Sequence, residues 1–116
     1  MSPTRRRRSV CPVSCTLELI GDKWTLLVVR DLLLGRTQFS EFAASPEGIA
    51  TNILSERLER LLAHELIEKR ATPEHAGRST YHLTPKGESL RPLLEAVRDW
   101  GLEHLEGTQA RLEGAD

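Results

Sequence analysis

The chain has 116 residues, a net charge of -1 and two cysteines, Cys11 and Cys15. That length suits one domain with one core. No apolar run is long enough to span a bilayer, nothing near the start reads as a signal peptide, and two cysteines four apart make no disulfide framework. The expectation is a protein of the reducing cytoplasm with no membrane partner. Charge is unevenly spread: residues 1–87 carry 13 Lys/Arg against 10 Asp/Glu, and residues 88–116 carry 3 against 7. A polyanion would therefore be met by the first three quarters of the chain.

Residues 1–10 read as a disordered basic arm, polar and without apolar period. Arg5 to Arg8 can reach phosphates or a minor groove, or simply solubilise the chain. Cys11-Pro12 opens a helix to about Ile20, with proline at the position that needs no N–H partner. Gly21 stops it, and Asp22 caps a second helix that starts Lys23-Trp24-Thr25. Leu26 to Val29 and Leu32 to Leu34 are apolar on nearly every side, which predicts a central helix buried all round and ended by Gly35. Phe39 to Ala43 predicts a short helix with Ser40 as its cap and Phe39 and Phe42 as anchors. Ser45-Pro46-Glu47-Gly48 is turn chemistry.

Thr51 to His64 follows. Leu54, Leu58, Leu61 and Leu62 form one helical stripe, with Asn52, Glu56, Glu59 and Ala63 opposite and Arg57 and Arg60 on a flank. Ala50 is a poor cap, costing about 1 kcal/mol against serine, which Thr51 could take over. Ile49 and Leu54 are spaced for a hydrophobic staple. Two short helices around a tight turn make a helix-turn-helix. Leu66–Ala71 and Ser79–Leu83 then predict a β-hairpin facing the core with Ile67, Tyr81 and Leu83. Its tip, carrying His75 and Arg78, would be a wing. Thr84-Pro85 starts the last helical region, which Pro92 should kink or split. Leu90, Leu94, Val97, Trp100, Gly101 and Leu105 form a stripe larger than one such domain needs to cover, which predicts a second copy as partner. The fold class is mainly α with a small β-hairpin: a winged helix-turn-helix over residues 11–106, with a frayed tail over 107–116.

At this point the ordered text resembles the HxlR-type winged helix-turn-helix regulators of bacteria. It runs from Cys11-Pro12-Val13 through Gly21-Asp22-Lys23-Trp24-Thr25, Phe39-Ser40-Glu41-Phe42, Gly48-Ile49 and Leu66-Ile67-Glu68 to Leu83-Thr84-Pro85-Lys86-Gly87 and Trp100-Gly101. The resemblance implies a homodimer built on the first and last helices, with Val13 and Leu17 joining the C-terminal stripe. It further implies binding to a near-palindromic operator. Three departures stand out: Glu65 replaces the usual glycine after the recognition helix, Ala50 replaces a serine-like cap, and Cys15 is an extra cysteine.

A major groove admits one helix, whose first half does most of the reading. Thr51, Asn52, Ser55 and Glu56 are the base candidates; Asn52 suits adenine in bidentate fashion. Arg57 and Arg60 can take guanine or phosphate, or pair with Glu56 or Glu59 along the helix. Ser40 is a phosphate candidate, Arg78 a candidate for phosphate or minor groove, and His75 a further candidate at the wing. Cys11, at a helix start near arginines, is the candidate sensor of an oxidant or electrophile; the alternative is an inert thiol at the dimer seam. No metal or cofactor set is legible, nor any nucleophile–base pair, Gly-rich phosphate loop or other mark of an enzyme. The rival to a DNA-binding repressor is a winged helix that docks on a protein.

Overall fold

The computed structural model describes residues 9–74 and 78–109. The arm Arg5–Arg8, His75 and residues 110–116 of the tail lie outside the described residues. The elements run α1 (Pro12–Ile20), α2 (Lys23–Leu33), α3 (Phe39–Ala43), α4 (Thr51–Ala63), β1 (Ile67–Ala71), β2 (Ser79–Leu83), α5 (Pro85–Glu88) and α6 (Arg91–His104). This is a mainly helical fold with one antiparallel hairpin, the winged helix-turn-helix that the residue pattern predicts.

Helix α2 is central. Asp22 caps it as expected, accepting from the backbone N–H of Trp24 (3.0 Å) and of Thr25 (3.2 Å). Val28, Val29 and Leu32 enter the core. The helix is not buried all round, however: Trp24, Leu26, Leu27 and Leu33 are half-buried, with Trp24, Leu26 and Leu33 packed at the edge of the core. It also buries a charge. Asp31 is 3% exposed and meets the Arg30 guanidinium at 3.0 Å, Arg36 at 3.6 Å and the Ser45 hydroxyl. A buried carboxylate persists only with such partners. The network ties the turn before α4 to α2, reinforced by Arg30 Nη1 on Glu47 at 2.7 Å. Gly35, at φ +97°, ends the helix where most side chains would be strained.

The start of α3 corrects one expectation. Gln38, not Ser40, is the cap, in a capping box with Glu41, whose carboxylate accepts from the N–H of Thr37 and Gln38. Glutamate at the third helical position reaches back and selects the earlier start. Helix α4 begins after Ala50 with no side-chain cap, and Thr51 is its first residue instead. Buried Ile49 and Leu54 are the staple pair, and Leu54, Leu58 and Leu61 reach the core. Glu65 then takes φ +61°, the left-handed turn that glycine would adopt, and its carbonyl accepts from the Thr84 hydroxyl at 2.7 Å.

The hairpin pairs Ile67 with Leu83 and Lys69 with Tyr81. It leans on the rest through the Tyr81 N–H, which donates to the Thr37 carbonyl (2.9 Å), and through the edge-on contact of Tyr81 with Phe42 (6.2 Å between ring centres). Thr84 caps α5 as expected, accepting from the Gly87 N–H. Of the two outcomes expected at Pro92 the split is found and not the kink: α5 ends at Glu88, the break falls at Ser89–Leu90, and Pro92 sits in the first turn of α6, where its missing N–H costs nothing. Of the stripe expected at a dimer seam, Leu94 is buried in this chain's own core and Leu90 and Gly101 are half-buried. Val13, Leu17, Val97, Trp100 and Leu105 remain 51% to 66% exposed.

Candidate nucleic-acid interface

The leucine stripe of α4 faces inward, so its opposite side is presented outward. Thr51, Asn52, Ser55, Glu56 and Glu59 are all exposed there. Asn52 and Ser55 are held at the helix surface by Leu54 and Leu58, which are at most 2% exposed. The helix that would read is thus anchored by the residues between those that would do the reading.

Arg57 and Arg60 are engaged differently. Arg57 Nε donates to Asp22 Oδ2 at 2.8 Å, and its Nη1 meets Glu56. Arg60 Nη1 donates to Asp22 Oδ1 at 3.1 Å, reaches the Leu19 carbonyl at 3.4 Å, and its Nη2 lies 3.5 Å from Glu56. The pairing with Glu56 is one of the two options open in the sequence; the partnership with Asp22 was not legible there. Partial burial pushes the Asp22 carboxyl up, but hydrogen bonds from Thr25, Arg57 and Trp24 and the Arg57 charge outweigh it and hold the group far below the usual carboxylate range. Asp22 therefore caps α2 and clamps α4 with one carboxylate.

Ser40 and Arg78, expected as separate backbone contacts, come together. Both line an open cleft of about 460 Å³ between the start of α3 and the hairpin. Gln38, Lys69, Thr72 and Thr80 line it too. Reading the sequence missed Lys69; its signal is the strand alternation that sets it beside Tyr81. Cys11 is exposed and Cys15 half-buried on α1, with Cys15 Sγ near the Ser9 carbonyl at 3.4 Å. Among the described residues no group of three or more His, Cys, Asp or Glu could hold a metal, and no helix is long and apolar enough to cross a membrane.

Residues 19–109 match the HxlR-like helix-turn-helix family. The chain belongs to that family. Among its relatives is the HTH-type transcriptional regulator sll1512 of Synechocystis sp., 32% identical over 97 residues that cover 84% of this chain and 72% of the relative. Among solved structures, PA1607, a candidate transcription factor, superposes with a TM-score of 0.80 at 39% identity, over 90% of this chain and 74% of that one. The redox regulator HypR in its reduced form gives 0.74 at 26% identity, over 83% and 95%. Membership makes this chain a DNA-binding transcriptional regulator of the helix-turn-helix type and not an enzyme.

Proposed function

We propose that the chain is a cytoplasmic repressor that binds a near-palindromic operator as a homodimer, with α4 in the major groove of each half-site. The observation that carries this reading is the row Thr51, Asn52 and Ser55, exposed on the outer face of α4 with no partner among the described residues. Amide and hydroxyl groups on the first half of such a helix suit base edges. Glu56 works against wrong sequences, because a carboxylate near phosphates is repelled. Arg57 and Arg60 hold the helix in position through Asp22. Ser40, Arg78 and His75 approach the backbone.

The exposed apolar side chains of α1 and α6 support the dimer, since a patch with Val13, Leu17, Val97, Trp100 and Leu105 is costly to leave in water. A likeness to HypR, a redox regulator, supports a response to oxidants or electrophiles through the exposed Cys11. Two measurements test the core of the proposal. Sedimentation should show a dimer in the parent and a monomer in Trp100→Arg. Fluorescence anisotropy with the DNA just upstream of the chain's own gene, against a shuffled duplex, should show selective binding that weakens steeply with salt. Flat, unselective binding would point instead to a protein-docking winged helix.

A further inference from the structure

Most described arginines already face a carboxylate: Arg30 and Arg36 lie on Asp31, Arg57 and Arg60 on Asp22, and Arg70 on Glu68. Lys69 and Arg78 do not. Among the described residues Lys69 has only the Tyr81 ring, 5.8 Å from its Nζ, and the Arg78 guanidinium has no partner. Both open onto the same cleft, whose wall includes Gln38, Ser40 and Thr72, while the Thr80 hydroxyl is bonded to the His82 ring at 2.8 Å. Nearby carboxylates are turned to other work. Glu41 is held by the N–H groups of Thr37 and Gln38, and Glu68 by Arg70. The result is a concave surface with two unspent positive charges and several neutral donors, which is the chemistry of a phosphate oxyanion.

We propose that the cleft between α3 and the β1–β2 hairpin seats a phosphate group, with Lys69 and Arg78 supplying charge and Ser40 and Gln38 supplying directed hydrogen bonds. The occupant is a backbone phosphate of the operator, an assignment that rests on the DNA reading above. Helix α3 flanks both the cleft and α4, so a duplex against α4 brings its backbone toward this wall. The volume also falls in the range of small-molecule sites, so a free phosphate compound is the second source of the same chemistry. Lys69 is the new residue here: it lies on the strand, not at the wing tip, and would fix how closely the wing approaches the duplex.

The test uses the full chain. Anisotropy is measured on the upstream duplex and on a shuffled one, across a salt series, for the parent, Lys69→Ala, Arg78→Ala and Arg91→Ala. Arg91 is a control: an exposed cation beside Glu88 and away from the cleft. Each cleft variant should flatten the plot of log affinity against log salt by about 0.9, the loss of one phosphate contact, on both duplexes. Arg91→Ala should leave it unchanged. In parallel, pyrophosphate is titrated into the free protein at constant ionic strength and followed by amide NMR shifts. Shifts at Ser40, Lys69 and Thr80 that vanish in Lys69→Ala support an oxyanion site whatever its natural source. A steep parent slope with Lys69→Ala and Arg78→Ala no different from Arg91→Ala, and no pyrophosphate shifts in the cleft, overturns the proposal. A parent that binds no DNA while pyrophosphate still shifts the cleft overturns the DNA reading alone, and assigns the site to a free phosphate ligand.

Discussion

Arg57 Nε donates to Asp22 Oδ2 across 2.8 Å, so the helix that faces outward is clamped to the residue that caps the central helix. Arg60 adds a second bond to the same carboxylate and one to the Leu19 carbonyl at the end of α1. Three helices therefore meet at Asp22.

The clamp predicts a split between two substitutions. Asp22→Ala removes the cap and leaves two arginines without their carboxylate, for a loss of about 2 to 3 kcal/mol in urea denaturation. Asp22→Asn keeps the cap and the Arg57 bond through its amide oxygen, but loses the charge and turns an NH2 toward the Arg60 guanidinium, for about 1 to 2 kcal/mol. The pH dependence follows from the depressed carboxyl. A group more acidic in the folded state stabilises fully above its unfolded value and loses that contribution as pH falls toward the folded one. Parental stability should thus fall more steeply below about pH 4 than that of Asp22→Asn. Parallel curves would remove Asp22 as the linked group.

Gly87 should not tolerate a side chain. A Cβ there would lie 2.0 Å from the Leu66 carbonyl oxygen and 2.8 Å from Leu83 Cδ2. The backbone cannot withdraw freely, because that carbonyl also accepts from the Thr84 N–H at 3.0 Å. Gly87→Ala should cost about 3 kcal/mol or more, read from the thermal or urea midpoint. A loss under about 0.5 kcal/mol would mean the α4–β1 turn and α5 can separate.

Glu65→Gly should act in the opposite direction. At φ +61° a side chain costs about 1 to 2 kcal/mol, and part of the relief is returned as the extra freedom of glycine in the unfolded chain. The expected net gain is about 0.5 kcal/mol. A loss would show that the glutamate side chain itself holds the turn.

These cases also show what was legible in the sequence. Asp22, Gly35, Thr84 and Pro85 announce helix ends through their own chemistry, and the leucine spacing of α4 announces which face turns inward. Such signals act within one helical turn. What escaped is set by distant pairing. Asp22 meets Arg57 and Arg60 only after α1 and α2 pack on α4. Leu94 fits a dimer stripe by spacing, yet turns into the chain's own core. Ser40 looked like a cap until Glu41 reached back to Thr37 and Gln38. The cleft needs the hairpin register, which sets Lys69 beside Tyr81, before its charges can be seen together.

Cys11 offers a prediction independent of stability. It is exposed at the start of α1, and Cys15 follows one turn later. Mild treatment with hydrogen peroxide should change operator affinity in the parent and leave Cys11→Ser unmoved. A non-reducing gel should show whether the oxidised parent is cross-linked between subunits. Equal responses in parent and Cys11→Ser would remove Cys11 as the sensor.

The sharpest test of the reading face compares Asn52→Ala with Arg78→Ala. Asn52 is exposed on α4 with no partner among the described residues, so its removal costs the fold little. If it pairs with an adenine edge, Asn52→Ala should weaken binding to the operator by roughly 10- to 100-fold and hardly change binding to a shuffled duplex. Arg78, beside Ser40 and Lys69, can offer only charge to the backbone if the cleft seats a phosphate. Arg78→Ala should then weaken both duplexes alike and flatten the salt slope. Identical behaviour of the two variants would show that α4 and the hairpin do not divide reading from positioning, and the outward face of α4 would need another partner.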